Sequence, residues 1–240
     1  MNFTLNKTTL LMLGAASVLV VGCTTTNTGS NPQVDKALER AGKRGASIKD
    51  PAEEAAMYGR IYKQNPSSAK AATEYARVLR KQGQLDKAEA VLNIFATDSG
   101  SPHFAYSEFA AIKLAKGEYS EAEIFADDAL ELKPKDSYAL HLRGIALDGL
   151  SRYKDAEQAF RAALDNWEGN PVPVMNNLAL NLATQGYIDE SISILERART
   201  LEPDRKEIER NLRIIRALNE GNGQYFPEQA AIPTPLKKPK

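Results

Sequence analysis

Ala76, Ala110, Gly144 and Ala179 stand 34, 34 and 35 residues apart. Leu85, Tyr119, Tyr153 and Ile188 keep the same spacing, and so do Ala88, Ala122, Ala156 and Ser191. Three columns in one register require a repeated structural unit. Each unit reads as small residue, helix, short turn, small residue, helix. Small side chains at both places let two helix axes approach to about 8–10 Å. Ala110 with Ala122 marks one such crossing, and Gly144 with Ala156 marks the next; Phe109, Leu114, Phe125 and Leu130 flank them.

The turns carry their own signals. Gly83, Gly117 and Gly186 follow the first helix of their units, where a glycine adopts the left-handed conformation without a Cβ clash. Ser120-Glu121-Ala122-Glu123 fits a capping box opening a second helix. Pro134 and Pro203 close two units, because proline disfavours helix in the residue before it.

This 34-residue pattern resembles the tetratricopeptide repeat. Four units are expected, over 69–102, 103–136, 137–171 and 172–205. Gly100 and Glu168 stand where proline usually closes a unit. Phe95 replaces a small residue in the second helix of the first unit, and Asn170-Pro171 adds a residue. Local irregularity is expected at these places. The resemblance implies an all-α fold, a right-handed superhelical solenoid of helical hairpins.

Stacked repeats leave apolar end faces that need caps. Ile208, Leu212, Ile215 and Leu218 fall on one helical stripe, and a capping helix is expected over 206–220, opened by Asp204. Glu209, Arg213, Arg216 and Glu220 lie off that stripe. Arg213 occupies the small-residue column, which argues against a fifth unit. At the other end, Asp50-Pro51-Ala52-Glu53-Glu54 is a strong helix start: a cap, a proline, then acids in the first turn. Residues 34–66 read as a degenerate N-terminal hairpin.

The first residues read as an address. Lys7 precedes an apolar run of 12 residues, Leu10 to Val21, too short for the ~20 that span a bilayer. That is the layout of a secretory signal peptide. Leu19-Val20-Val21-Gly22-Cys23 resembles the bacterial lipoprotein cleavage box. The resemblance implies cleavage after residue 22 and a covalent lipid on Cys23, the only cysteine. Each buried methylene contributes about 0.8 kcal/mol, so two or three acyl chains anchor firmly. Thr24 follows the cysteine; an aspartate there would retain the protein at the inner membrane in enteric bacteria. The expected location is therefore the periplasmic face of the outer membrane. Residues 23–33 read as a tether, the stretch from Thr24 having a reach of roughly 17 Å. Residues 221–240 read as a disordered, proline-rich and basic tail.

Composition narrows the function. Lysine plus arginine equals aspartate plus glutamate at 31 each, and removing residues 1–22 leaves 30 against 31. No basic excess points to nucleic acid. His103 and His141 lie in different repeats, without metal-ligand spacing. The acid pairs Asp127-Asp128 and Glu53-Glu54 are adjacent and diverge on a helix. No enzyme and no cofactor beyond the lipid is expected, and the partner is a protein.

In the repeats this chain resembles, positions 2, 5, 9 and 12 of each unit face the concave groove. Here they are Lys70, Thr73, Arg77 and Arg80; then Phe104, Ser107, Ala111 and Leu114; then Tyr138, His141, Ile145 and Asp148; then Pro173, Asn176, Leu180 and Ala183. The groove is thus expected to be basic at its N-terminal end and apolar in the middle, suiting an amphipathic helix or a peptide with an acidic end. Phe104 and Tyr138 serve either the groove or packing between hairpins; the sequence leaves both open. The basic residues likewise suit a solvated helix face.

Asn177-Leu178-Ala179-Leu180-Asn181-Leu182-Ala183, followed by Gln185-Gly186, resembles the TadD group of tetratricopeptide lipoproteins of the tight-adherence (Flp) pilus. That resemblance implies a role in assembling the outer-membrane secretin, as its pilotin, with the secretin subunit as partner. The alternative is a periplasmic scaffold that recruits cell-wall enzymes.

Overall fold

The structure, a computed structural model, describes residues 31–45, 47–48, 50–96 and 100–221. The signal peptide, Cys23, most of the tether and the tail 222–240 lie outside the described residues. Among those described, every regular element is helical: α1 Pro32–Gly45, α2 Pro51–Gln64, α3 Ala69–Lys81, α4 Leu85–Leu92, α5 His103–Lys116, α6 Tyr119–Leu132, α7 Ser137–Gly149, α8 Tyr153–Asp165, α9 Val172–Thr184, α10 Ile188–Leu201 and α11 Lys206–Gly221.

Each hairpin packs its two helices together, and its second helix packs on the first helix of the next hairpin. The small-residue columns sit at these contacts. Ala76, Ala110, Ala179, Ala88, Ala122, Ala156 and Ser191 are all 0% exposed. At Gly144 the need for glycine is steric: a Cβ there would lie 2.5 Å from the Phe160 ring. Ser191, the one polar member, donates its Oγ hydrogen bond to the Ala179 carbonyl at 2.6 Å.

Leu85, Tyr119, Tyr153 and Ile188 each open a second helix. The turn before them holds Gly83, Gly117 and Gly186 at φ of 73°, 78° and 87°, and Ser151 takes the same left-handed slot at 60°. α6 starts at Tyr119 with Glu118 as its cap, so Ser120 lies inside the helix and the expected capping box does not form. The reason is local: the glycine turn delivers the chain into helix two residues earlier, and the Glu118 carboxylate accepts from Lys113 at 2.6 Å instead.

At Phe95 the irregularity appears. α4 ends at Leu92 and tightens into a 3₁₀ turn, Asn93–Phe95. A phenyl ring does not fit a column otherwise held by Ala129, Ala163 and Ala198, so the backbone changes pitch and buries the ring fully. Ser101 then donates to the Phe95 carbonyl at 2.7 Å.

α1 begins at Pro32, with Asn31 Oδ1 accepting from the Gln33 amide at 3.0 Å, so helix starts before the expected tether ends. α2 is capped by Asp50, whose Oδ1 accepts from the Ala52 amide at 2.9 Å. Val34, Leu38, Ala41 and Tyr58 join Ala71 and Val78 of α3 in one buried cluster, so α1 and α2 extend the stack. α11 buries Ile208, Leu212 and Ile215 against α9 and α10. It starts at Lys206, so Asp204 does not stand at its N-cap. Leu218, expected on the buried stripe, is 48% exposed.

Candidate protein-binding groove

The first helices α3, α5, α7 and α9 pack side by side and present one face. Position 5 of each unit does not line that face. Thr73, Ser107, His141 and Asn176 are 1%, 2%, 8% and 3% exposed, held between neighbouring helices. Positions 2, 9 and 12 are on the whole more open, although Ala111 is buried.

His141 and Asn176 are therefore corrections to the expected groove. The His141 ring packs on Phe160 at 5.9 Å and edge-on to Trp167 at 5.6 Å. Burial pushes its pKa down to about 4, so the ring is neutral at physiological pH. A directional hydrogen-bond chain runs from α11 to α7. Asn211 Nδ2 donates to Asn176 Oδ1 at 2.7 Å, Asn176 Nδ2 to Asn177 Oδ1 at 3.3 Å, and Asn177 Nδ2 to His141 Nε2 at 2.9 Å. Asn176 Nδ2 also donates to Glu207 at 3.3 Å. These amides tie consecutive units together and do not face a partner.

The basic end is also corrected. Arg77 and Arg80 converge on Glu108 of α5, which is 0% exposed. Arg80 Nε lies 2.6 Å from Glu108 Oε1, Arg80 Nη2 lies 3.3 Å from Oε2, and Arg77 Nε lies 3.4 Å from Oε2. Arg77 Nη1 also meets Glu74 at 2.8 Å, and Lys70 meets Asp35 at 2.5 Å. Each of these three cations is matched by a carboxylate of the same chain, which removes the attraction for an acidic peptide. A buried carboxylate survives only when paired, and two guanidinium groups supply that pairing. The half-buried Tyr138 adjoins the cluster, and burial with the nearby Glu108 charge holds its phenol above the ordinary range.

The remaining lining is apolar. Leu114 and Tyr138 pack around the buried Ala110, Ala111, Ala126 and Leu142. Phe104 packs against the core of the α3–α4 hairpin, edge-on to His103 at 5.6 Å. Ile145 is half-buried, and Leu180 is the most open of the set at 37% exposure. The most open apolar residue of this face thus lies in the C-terminal unit, away from the charged cluster around Glu108.

Sequence reasoning missed Glu108 and a repeated clasp. Glu89, Glu123 and Glu157 stand 34 apart. Each is met by the next unit: Lys116 at 2.6 Å, Arg152 at 2.7 Å and Gln185 at 3.1 Å. The spacing was visible; the donors, at unit positions 14 and 16, were not in one column. Asn181 adds a further tie, donating to Asp148 at 2.7 Å and to the Tyr153 carbonyl at 3.1 Å. Among the described residues no cluster of three metal-ligating side chains occurs, and no helix is long and apolar enough to cross a membrane.

Solved structures share this architecture. The chain matches TTC0263, a thermophilic TPR protein of Thermus thermophilus, at 17% identity and a TM-score of 0.66, over 77% of this chain and 99% of that one. It matches a tetratricopeptide repeat protein of Parabacteroides merdae at 18% identity and a TM-score of 0.58, over 80% of this chain and 76% of that one. YrrB, described as a TPR protein with an unusual peptide-binding site, aligns at 14% identity and a TM-score of 0.53, over 77% of this chain and 92% of that one. At these identities the likeness shows the fold alone. Among curated protein sequences none matches the chain. Two family models, each described as tetratricopeptide repeat, match residues 49–105 and 108–171, together 121 of the 240 residues. With its hairpin stack, its buried small-residue columns and these matches, the chain belongs to the tetratricopeptide-repeat family.

Proposed function

We propose that this protein is a lipid-anchored adaptor at the periplasmic face of the bacterial outer membrane, and that it assists assembly of the secretin of a tight-adherence pilus. The coarser statement, an adaptor for protein partners, follows from the repeat family. The observation that carries the finer reading is the lipoprotein cleavage box ending at Cys23, placed ahead of a repeat array that resembles the TadD group in α9. Asn177 and Asn181, two residues of that resemblance, tie α9 to the preceding unit.

The mechanism is physical. The lipid holds the array at one membrane, and the apolar part of the groove, Leu114, Ile145 and Leu180, takes an apolar segment of the secretin subunit. Tethering raises the effective concentration of the groove at that membrane and converts modest affinity into steady occupancy. With the charges of Arg77 and Arg80 neutralised within the chain, association there depends little on salt.

The test has two arms. Cys23→Ala is expected to abolish palmitate labelling, leave a folded protein and deplete membrane-assembled secretin multimers. Leu180→Asp is expected to keep the lipid and the native helicity while weakening capture of the secretin from crosslinked envelopes. Normal secretin multimers in the Cys23→Ala strain refute the reading. Crosslinks to peptidoglycan hydrolases without secretin identify a cell-wall scaffold instead.

A further inference from the structure

α11 is a first helix without a second one packed on it among the described residues. Its inner side is filled by Ile208, Asn211, Leu212 and Ile215. Its outer side is not wholly polar. Ile214 is 52% exposed and Leu218 48%, with Ala217 exposed between them. At about 100° per residue, Arg210, Ile214, Ala217 and Leu218 share one face, and Arg213 and Glu220 share one flank of it. Arg213 stands in the column where the other first helices carry Ala76, Ala110, Gly144 and Ala179. Its bulk keeps a second helix from crossing closely there, so this face is not prepared for another hairpin of the same kind.

The charges on the helix point to what covers it. Arg216 is paired with Glu196, Glu209 with Arg199, and Glu207 with Arg205. Arg213 and Glu220 have no ion-pair partner among the described residues. They lie at opposite ends of one flank, on either side of Ala217. Turned over and laid antiparallel on itself, this helix face complements itself.

We infer that α11 pairs antiparallel with α11 of a second copy of the chain, about a two-fold axis near Ala217. Ile214 then meets Leu218 of the second copy, and by symmetry Leu218 meets Ile214. Ala217, small and central, allows the close approach of the two axes. Arg213 faces Glu220 of the second copy, twice over. Arg210 falls beside the C-terminal carbonyls of the opposing helix, where a cation is favoured. A contact of one helix per copy is at the small end of stable interfaces, so the affinity is of roughly micromolar order.

The experiment is sedimentation equilibrium of the full-length chain in mild detergent at about 100 µM, well above a micromolar Kd. The expected protein mass is that of two chains. Ile214→Glu returns it to one chain with unchanged circular dichroism. Arg213→Glu alone and Glu220→Arg alone each lower the dimer fraction, and the two together restore it, because the swapped charges meet again across the axis. A single-chain mass for the unaltered protein overturns the inference. So does a dimer indifferent to Ile214→Glu, or a charge swap that fails to restore pairing. A dimer that forms only after removal of residues 222–240 also overturns it, by showing that the chain's own tail is the occupant.

Discussion

His141 provides a direct test of whether position 5 belongs to the packing of units or to the groove. Its ring is 8% exposed, lies against Phe160 and Trp167, and accepts a hydrogen bond from Asn177 at 2.9 Å. Burial lowers its pKa from 6.5 to about 4. The unfolded chain binds a proton there below 6.5, whereas the folded chain resists until about 4. The stability held by the neutral ring is therefore complete above 6.5 and is lost as the pH falls toward 4. At 1.36 kcal/mol per pKa unit the loss amounts to about 3 kcal/mol. Protonation also places a donor on Nε2 against the Asn177 amide and breaks the last link of the chain from Asn211.

The assay is urea denaturation followed by circular dichroism across that pH interval, on the natural chain and on His141→Leu. For m values of a few kcal/mol per molar, the natural chain should lose about 1–2 M in its midpoint beyond the loss seen in His141→Leu. The subtraction removes what carboxylates contribute, such as Glu89, which its lysine partners hold below the usual carboxylate range. Equal pH dependence in the two proteins refutes the argument, since the histidine would then be solvated in the folded state.

Three further outcomes follow from single contacts. Gly144→Ala should destabilise by about 1–3 kcal/mol, because the added methyl meets the Phe160 ring at 2.5 Å, and Phe160→Leu should relieve most of that loss in a double-mutant cycle by thermal melting. Ser151→Gly should raise the melting temperature by an amount equivalent to roughly 0.5 kcal/mol, as a left-handed φ of 60° costs serine more than glycine loses in chain entropy. Arg80→Ala should cost about 3 kcal/mol by leaving the buried Glu108 carboxylate with only the longer Arg77 contact at 3.4 Å, whereas Glu108→Gln should cost only about 1–2, since both arginines reach water; equal losses in chemical denaturation would contradict that asymmetry.

Much of the fold was legible because helix crossings tolerate only small side chains, and a column of alanine and glycine at fixed spacing records where crossings occur. Ala110, Ala122, Gly144 and Ala156 did this directly, and the left-handed glycines Gly83, Gly117 and Gly186 marked the turns. The expected capping box at Ser120 failed because the turn geometry, set by Gly117, fixes where helix begins before side-chain capping has any say.

The groove was legible only in its outline. Periodicity names the residues that share a face, Leu114, Ile145 and Leu180 among them. It does not tell which of them a neighbouring helix will cover. That His141 and Asn176 are consumed by ties between units depended on how closely α7, α9 and α11 approach. That Arg77 and Arg80 are neutralised depended on Glu108, a residue 28 to 31 positions away, arriving beneath them. By itself the sequence determined the repeat, its hairpins and their turns, since each rests on local sterics and spacing. Only the tertiary structure decided which polar groups remain free to meet a partner, because burial and charge pairing are properties of helices brought together from separate units.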